Sequence, residues 1–426
     1  MSCGSPGVPT KAETGREFFT TRTVTEALDG FRPARRTPAE PVPLDRALHR
    51  VPVVPVTAPH ALPGFARSTV DGYAVRAADT YGVSDGLPGY LQLTGAVLMG
   101  PVMDTAPSVA VGPGAAVSMP TGGVLPPGAD AVVMIEYTQQ VMPGTVEVVR
   151  PVAPGEGVVR ADEDAAPGAE LVPAGRPLRA QDLALLAAAG VTTVTAYARP
   201  RVAIFSTGDE VVPPDAATLR PGQVRDATAV ALAALVAEAG GEPVPSGIVP
   251  DDPRALEAAL RAALPASDLI VVSAGSSVGA RDETASVVGR LGTIWCHGLA
   301  IKPGKPTLLA ECDGVPVIGL PGNPRSALVV FRLLGVPLVR LVGGCAESPK
   351  GPPPEPAVRA RLARDLPSAA GRLDVVQVRV AHGVATPVFG LSALLSVLTA
   401  ADGYVIIPEE ATGLDAGAEV DVTIYR

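Results

Sequence analysis

Cysteine, histidine and aromatic residues are scarce in this chain of 426 residues, which has four cysteines, four histidines and 4% aromatics. The cysteines show no CxxC spacing, which indicates unpaired cytosolic thiols rather than a disulfide framework or a zinc site. Scattered histidines argue against a histidine-based metal site. The few aromatics and a pI of about 5.1 argue against a nucleic-acid partner.

The chain also lacks a long uninterrupted apolar run. Its first fifteen residues, MSCGSPGVPTKAETG, contain no apolar segment of the kind that a signal peptide needs. The apolar stretch SALVVFRLLGVPLVRLVGG is interrupted by Arg332 and Arg340, so it is too short and too charged to cross a bilayer. We therefore expect a cytoplasmic protein with no membrane partner.

Glycine and proline are abundant, at 46 residues each, and hydrophobic residues make up 47% of the chain. This composition indicates a globular chain of about three or four domains. Short apolar alternations separated by Gly/Pro turns predict an all-β lobe at about 52 to 168. Alternation returns after the Pro-rich stretch SPKGPPPEPA, which predicts a small β-rich, barrel-like C-terminal domain.

A different pattern lies between these two β-rich parts, where short apolar strands alternate with helical segments. RVAIF, EPVPSGIV and SDLIVVSAG predict strands, and 226–240 predicts a helix that Asp226 caps. TLLAE and VPVIG predict a hairpin before a long helix. The alternation predicts a three-layer α/β unit with a mostly parallel sheet, so the expected fold class is α/β plus β-rich domains.

Distinctive loops follow the predicted strands, at the sheet edge where α/β proteins bind ligands. Three of these loops carry Glu210, Asp251 and Asp282, and carboxylates near a phosphate favour Mg²⁺. Glycines, hydroxyls and the helix start at Asn323 offer groups that suit an oxyanion. Taken singly, each loop also fits an ordinary turn or helix cap. Their joint placement at one edge favours a functional site.

The stretch IKPGKPT places Lys302 and Lys305 on a stiff Pro/Gly loop. This loop is either a solvated turn or a fixed anion site. Two acidic loops, around Asp71 and Asp164, lie outside the α/β unit. Each is either an acidic turn or part of a site completed across a domain or subunit cleft.

Eight runs that include these loops occur in one order along the chain: LPGFARSTVDGYAVRAADT, PTGGVLPPGADAVVMIEYT, EDAAPGAELVPAGRPLRAQDLALLAAAGV, RVAIFSTGDEVV, GIVPDDP, SSVGARDET, LAIKPGKPT and GLPGNPRSALVVF. Together they resemble the bacterial MoeA family of molybdopterin molybdenumtransferases, which is related to the E domain of gephyrin. The resemblance covers most of residues 17 to 426. The α/β unit alone would also fit the molybdopterin adenylyltransferases, but the DGYA segment and the C-terminal domain separate the two families.

The resemblance implies an enzyme of molybdenum cofactor biosynthesis that takes adenylylated molybdopterin and molybdate, inserts the metal and releases AMP with the help of Mg²⁺. It implies an elongated homodimer whose active-site cleft includes the partner's β lobe, and it raises molybdopterin adenylyltransferase as a further partner. The expected domains are an α/β domain of 17–30 and 199–346, a connecting domain of 31–51 and 169–198, a β-rich lobe of 52–168 and a C-terminal β domain of 347–426.

By motif, the resemblance also assigns residue roles. The functional acids fall on Asp71, Asp164, Glu210, Asp251 and Asp282, of which the last three are the expected metal ligands. The expected substrate-binding residues are Thr121, Gly208, Gly275, Ser277, Gly279, Lys302, Lys305, Gly322, Asn323 and Ser326.

Several positions depart from the family pattern, notably Arg67, Asp162 and Thr228, where the family has asparagine, glycine and asparagine. The named acids and lysines are kept, so the reaction class stands. The open alternatives are a tungsten-inserting paralogue, a non-catalytic dimeric scaffold that binds molybdopterin or a peptide, and a nucleotide-cleaving enzyme on the same α/β fold.

Overall fold

The computed structural model describes residues 21–100, 109–274, 278–346 and 356–425, and at 278–282 it describes the backbone alone. Three six-stranded sheets organise the described chain, each in a different part of the sequence. No helix in these ranges is long and apolar enough to cross a membrane.

The central sheet belongs to the α/β unit. Its strands, from one edge to the other, are Glu242–Val249, Arg201–Thr207, Leu269–Ser273, Val315–Leu320, Leu308–Cys312 and Thr293–His297. The first four strands run parallel to one another. Leu308–Cys312 is antiparallel to the fourth strand, and Thr293–His297 is antiparallel to Leu308–Cys312. The predicted mostly parallel sheet is therefore confirmed.

Helices cover both faces of this sheet, which explains why its strands are almost continuously apolar. Val202 and Ile204 point to one face, and Ala203 and Phe205 point to the other. The helices of the first face are Val24–Gly30, Ala227–Glu238, Pro324–Val330 and Val336–Val342, the last two joined by the π-helical turn Phe331–Gly335. The helices of the second face are Pro253–Ala263 and Val278–Leu291. The three-layer architecture is confirmed.

The second sheet forms the β-rich lobe. Its order is Ala131–Met134, Gly72–Val75, Ala115–Met119, Gly89–Ala96, Thr145–Val148 and Thr138–Met142. All neighbours are antiparallel except Gly89–Ala96 and Ala115–Met119, which run parallel. The short pair Arg67–Ser68 and Val158–Val159 lies beside this sheet.

The third sheet closes on itself in the C-terminal region. Leu373–Ala381, Val384–Pro387, Ala357–Leu362, Glu419–Ile424 and Gly403–Ile407 pair in a ring, because the first strand also pairs with the last. The remaining strand, Ile301–Lys302, comes from the α/β unit and pairs in parallel with Leu373 and Asp374. The predicted small barrel is confirmed, and the lysine loop is attached to it. Smaller elements here are the strands Leu366–Pro367 and Gly413–Leu414 and the helix Ser396–Thr399.

A connecting region joins the lobe to the α/β unit. It contains the strand pair Ala39–Pro43 and Thr193–Tyr197, the pair Val56–Thr57 and Glu170–Val172, the 3₁₀ turn Leu44–Arg46 and the helix Ala180–Ala188. Asp182 in the first turn of that helix is only 5% exposed. Its carboxylate accepts paired hydrogen bonds from Arg176, at 2.8 and 3.0 Å, and from Arg179, at 3.0 and 3.1 Å. These bonds, chiefly those from Arg176, hold the pKa of the Asp182 carboxyl well below its usual range.

Replacing Asp182 with alanine should lower the free energy of unfolding by about 3 kcal/mol at pH 7, because two arginines lose a buried partner. A carboxyl with a depressed folded-state pKa stabilises the fold above its unfolded pKa of about 4, and this stabilisation is lost as the pH falls towards the folded pKa. In urea unfolding, the difference in unfolding free energy between wild type and Asp182→Ala should therefore shrink below about pH 4. The exposed Asp45→Ala serves as control and should unfold like wild type; an equal loss in both variants would contradict the prediction.

Candidate functional site

A cavity of about 300 Å³ opens where the strands Arg201–Thr207 and Leu269–Ser273 end. It lies at the carboxyl edge of the parallel sheet, where the sequence predicted a ligand. Four predicted loop positions meet around it, because the parallel strands deliver their following loops to the same side. Its lining includes Thr207, Glu210, Gly322 and Asn323.

Glu210 is half-buried at the edge of this cavity, and its carboxylate folds back over Gly208. Gly208 has φ +136°, a conformation that L side chains rarely adopt, and a Cβ atom added there would lie 2.6 Å from Glu210 Oε2. The glycine of the STGDE loop therefore serves two purposes. It permits the turn after the strand, and it leaves room for the acid.

Gly208→Ala should therefore reduce both stability and activity. The unfavourable φ should cost about 1–2 kcal/mol of unfolding free energy, and the displaced Glu210 carboxylate should lower turnover at the site. Gly222→Ala is the matched control, because Gly222 has φ +89° in a neighbouring turn but an added Cβ there meets nothing within 4 Å. The melting temperature should fall in both variants, whereas turnover should fall only in Gly208→Ala. If the two variants had equal turnover, the position of the Glu210 carboxylate would not matter for activity.

Asp251 does not line the same cavity as Glu210. It lines a small adjoining pocket with Thr207 and Glu283, and its backbone N–H donates to Asp209 Oδ1 at 3.2 Å. Carboxylates are hard oxygen donors of the kind that Mg²⁺ takes, and Glu210 and Asp251 line two pockets that share Thr207. Within the described residues no group of three or more His, Cys, Asp or Glu side chains is placed to hold a metal ion.

Four predicted site residues lie in the loop and the helix that follow the strand Leu269–Ser273. Gly275 and Ser277 lie outside the described residues. Gly279 and Asp282 lie in the helix Val278–Leu291, at positions where only the backbone is described. The predicted roles of these residues, including Asp282 as a metal ligand, stay predictions.

The lysine loop does not line the cavity in the described structure. Lys302 Nζ lies 3.8 Å from Asp374 Oδ2, a barrel carboxylate that also accepts a 2.8 Å bond from Arg372 Nε. The Asp374 side chain is 5% exposed, so it needs cationic partners there. Lys305 is exposed on the same loop. Lys302 therefore helps to attach the barrel, a role that the sequence interpretation did not include.

The start of the helix Pro324–Val330 forms one wall of the cavity. Pro324 occupies the first helical position, as the sequence predicted, but the Asn323 side chain caps no helix N–H. Its Nδ2 instead donates to Ser392 Oγ of the C-terminal region at 3.1 Å. Ala393 also lines the cavity, so the C-terminal region closes one side of it. Ser326 is buried in the first turn, at 4% exposure.

Asp71 and Thr121 meet in the β-rich lobe, although fifty residues separate them. The Thr121 N–H donates to Asp71 Oδ1 at 2.7 Å, and its hydroxyl donates to the same oxygen at 2.9 Å. These two bonds hold the pKa of the exposed Asp71 carboxyl below its usual value. Asp164 is also exposed, on a loop whose backbone bonds to Leu62. Among the described residues no hydrogen bond links either acid to Glu210 or Asp251.

The cavity also has lining residues that sequence reasoning did not select. Ser206 is the next-to-last residue of one apolar strand and Ser273 is the last residue of another, and Arg225 and Thr228 flank the start of the helix Ala227–Glu238. A hydroxyl near the end of an apolar strand was the available signal for the serines. Arg225 could have been found as the residue before the predicted helix cap Asp226. That cap is confirmed, since Asp226 Oδ1 accepts from the Ala229 N–H at 3.0 Å.

Comparison with known proteins identifies the family. Three family models match in order: the MoeA N-terminal region (domain I and II) at 22–190, a probable molybdopterin binding domain at 203–341 and the MoeA C-terminal region (domain IV) at 359–425. The molybdopterin molybdenumtransferase of Nostoc sp. is 38% identical over 312 residues, covering 72% of this chain and 70% of that protein. The chain belongs to the MoeA family.

Other MoeA relatives extend this match over nearly the whole chain. The molybdopterin molybdenumtransferase of Haemophilus influenzae is 31% identical over 397 residues, covering 92% of this chain and 95% of that protein. The crystal structure of a molybdopterin biosynthesis moeA protein from Pyrococcus horikoshii has a TM-score of 0.81 at 30% identity, covering 95% of this chain and 100% of that one. The fold class is thereby confirmed, whereas the exact domain boundaries stay predictions.

Two departures from the MoeA sequence pattern have physical explanations in the structure. Asp162, where the family has glycine, adopts φ +63°, a left-handed conformation that aspartate tolerates better than most residues. Thr228, where the family has asparagine, is 7% exposed and lines the cavity, so this change alters the wall of the site itself. Nothing in the structure explains Arg67, which is exposed on a two-residue strand.

Proposed function

We propose that this protein inserts molybdate into adenylylated molybdopterin and releases AMP, yielding the molybdenum cofactor. The observation that carries the proposal is that Glu210 and the Gly322–Asn323 turn line one cavity at the sheet edge, while Asp251 lines a second pocket that shares Thr207 with it. Acids and backbone N–H groups together suit a phosphoryl substrate. The relatives named molybdopterin molybdenumtransferase support the same reaction.

Release of AMP requires attack at a phosphoryl centre, so the protein must mainly position groups and neutralise charge. Glu210 and Asp251, together with Asp282, would hold Mg²⁺, which when bound neutralises phosphate charge and polarises its oxygens. The wall at Gly322 and Asn323 would orient the substrate and exclude water from one side. Glu210 and Asp251 line two pockets that share Thr207, which supports these roles.

A homodimer is part of the proposal. Asp71, Thr121 and Asp164 lie in or beside the β-rich lobe, where no described hydrogen bond connects them to the sheet-edge cavity. In a dimer these residues of the partner would complete the cleft, and Asp71 is presented in a fixed orientation by its two bonds from Thr121. Contact with molybdopterin adenylyltransferase, which would hand over the substrate, and a cytoplasmic location belong to the same proposal.

The direct test incubates the purified protein with adenylylated molybdopterin, molybdate and Mg²⁺ and measures AMP by chromatography. AMP release that requires both molybdate and Mg²⁺ is expected. Tight substrate binding without AMP release would instead identify a non-catalytic scaffold. ATP consumption with metal-free molybdopterin would identify a nucleotide-cleaving enzyme.

Metal choice needs its own experiment, because molybdate and tungstate share charge and nearly share size. Equal concentrations of the two oxyanions should be offered together, and the metal in the product should be measured by mass spectrometry. Predominant molybdenum is expected. Predominant tungsten would make the protein a tungsten-inserting paralogue.

A further inference from the structure

Two buried serines form the floor of the sheet-edge cavity. Ser206 and Ser273 are register partners on adjacent parallel strands, and both line the cavity. Ser206 lies two residues after Ile204, and Ser273 lies two residues after Val271. Both of these apolar side chains pack on the side of the helix Ala227–Glu238. Their side chains therefore share the face of the sheet on which that helix lies.

Ser206 Oγ is unusual because it is buried without a hydrogen-bond partner among the described atoms. The residue is 3% exposed. Buried hydroxyls nearly always have a partner, because leaving one unpaired costs free energy. A hydroxyl that lines a cavity and lacks a protein partner is poised to bond to a ligand in that cavity.

The rim of the same cavity carries one cation. Arg225 is the one positively charged residue among the described residues that line it. Its Nη2 donates to the Ala216 carbonyl at 2.7 Å, which anchors the guanidinium, and it forms no salt bridge with a described carboxylate. Neither Lys302 nor Lys305 is among the described lining residues, so Arg225 is the cation that this cavity offers to a ligand.

We propose that Ser206, Ser273 and Arg225 form a subsite for a phosphoryl group of the substrate. The two serine hydroxyls donate to phosphate oxygens from the floor, and the guanidinium binds from the rim. Glu210 and Asp226 also line the cavity, and their negative charges would repel a bound phosphate. The positive charge of Arg225 offsets this repulsion. The inference deepens the proposed function and rests on it, since it specifies how that substrate is held.

The adenylylated substrate contains phosphate on its nucleotide side and on its pterin side, and the subsite chemistry is the same for both. Binding assays with AMP and with metal-free molybdopterin distinguish the two sources. Adenosine, which lacks the phosphate, is the matched ligand for AMP.

The test measures these affinities by calorimetry for wild type, Arg225→Ala, Arg225→Lys and Ser206→Ala. Arg225→Ala should weaken binding of the phosphate-bearing probe by about 10- to 100-fold, with adenosine unaffected, and lysine should restore part of the loss. Ser206→Ala should weaken the same probe about tenfold without lowering the melting temperature, because the hydroxyl has no partner to lose in the described structure.

Two control variants separate binding from folding. Arg220→Ala removes an exposed arginine from the same stretch of chain and should bind like wild type. Ser246→Ala removes a hydroxyl that donates to the Val244 carbonyl at 2.9 Å, so it should lower the melting temperature without changing affinity.

Unchanged affinity of Arg225→Ala and Ser206→Ala for both AMP and molybdopterin would overturn the inference, as would a wild type that binds neither probe. An equal loss of adenosine and AMP would also overturn it, because the phosphate would then not be the group recognised. These binding assays do not require turnover. A wild type that binds through the subsite but releases no AMP would therefore refute the proposed reaction and leave the subsite standing.

Discussion

Glu210→Gln is expected to lower molybdate-dependent AMP release by about a hundredfold. Glutamine keeps the size of the side chain, so the carboxamide can still fold over Gly208 beside the cavity. What the substitution removes is the negative charge that would hold Mg²⁺ against the phosphate. The loss should therefore appear in turnover, measured as initial rates of AMP formation, while thermal unfolding changes little.

A magnesium titration makes this prediction specific. The Mg²⁺ concentration that gives half-maximal rate should rise in Glu210→Gln, because one charged ligand has been lost. Asp215→Asn is the control, since Asp215 is an exposed acid in the loop that follows the same strand. If Glu210→Gln turned over at the wild-type rate with the wild-type magnesium requirement, Glu210 would have no part in the chemistry.

The α/β unit was predictable from the sequence because its signals are local. Strands buried on both faces are continuously apolar, and helices begin at caps such as Asp226 and Asp252. Parallel strands deliver their following loops to one edge, so the grouping of Thr207 with Glu210 and Gly322 also followed from the order of elements. The β-rich lobe and the small barrel were predicted for the same reason, from alternation between turns.

The position of the lysine loop was not predictable from local sequence. Lys302 pairs with Asp374, a residue 72 positions later and across a domain linker. Nothing in IKPGKPT shows that its first two residues add a strand to the C-terminal barrel. The stiff loop suggested a cation aimed at an anionic ligand, but the described partner of Lys302, at 3.8 Å, is a protein carboxylate.

The floor of the cavity was missed because serine after an apolar strand is common and carries little information alone. Its meaning depends on register, which pairs Ser206 with Ser273 across two strands separated by more than sixty residues of chain. It depends also on the missing partner of Ser206 Oγ among the described atoms. Both are properties of the folded chain, so sequence patterns could indicate the sheet edge but not the side chains that line its cavity.

Gly72→Ala is expected to have the largest effect on stability, at about 4 kcal/mol or more of unfolding free energy. Gly72 follows Asp71 and lies between two neighbouring strands, paired with Met119 on one side and Met134 on the other. A Cβ atom there would lie 1.9 Å from the Val133 carbonyl oxygen and 2.9 Å from its carbon. Because the obstacle is backbone, no side-chain rotation can relieve the contact, and the strands must separate.

Gly86→Ala is the matched control in the same lobe, since an added Cβ there meets nothing within 4 Å. Urea unfolding and limited proteolysis should show a wild-type lobe in Gly86→Ala and an opened one in Gly72→Ala. The obstacle lies on Ala131–Met134, whereas Thr121 follows Ala115–Met119 on the other side of Gly72, so a backbone shift at Gly72 away from Val133 would also move the adjoining Asp71 relative to Thr121. Gly72 of the DGYA segment would thus be required for the orientation of Asp71. A Gly72→Ala protein with wild-type stability would refute this explanation of the motif.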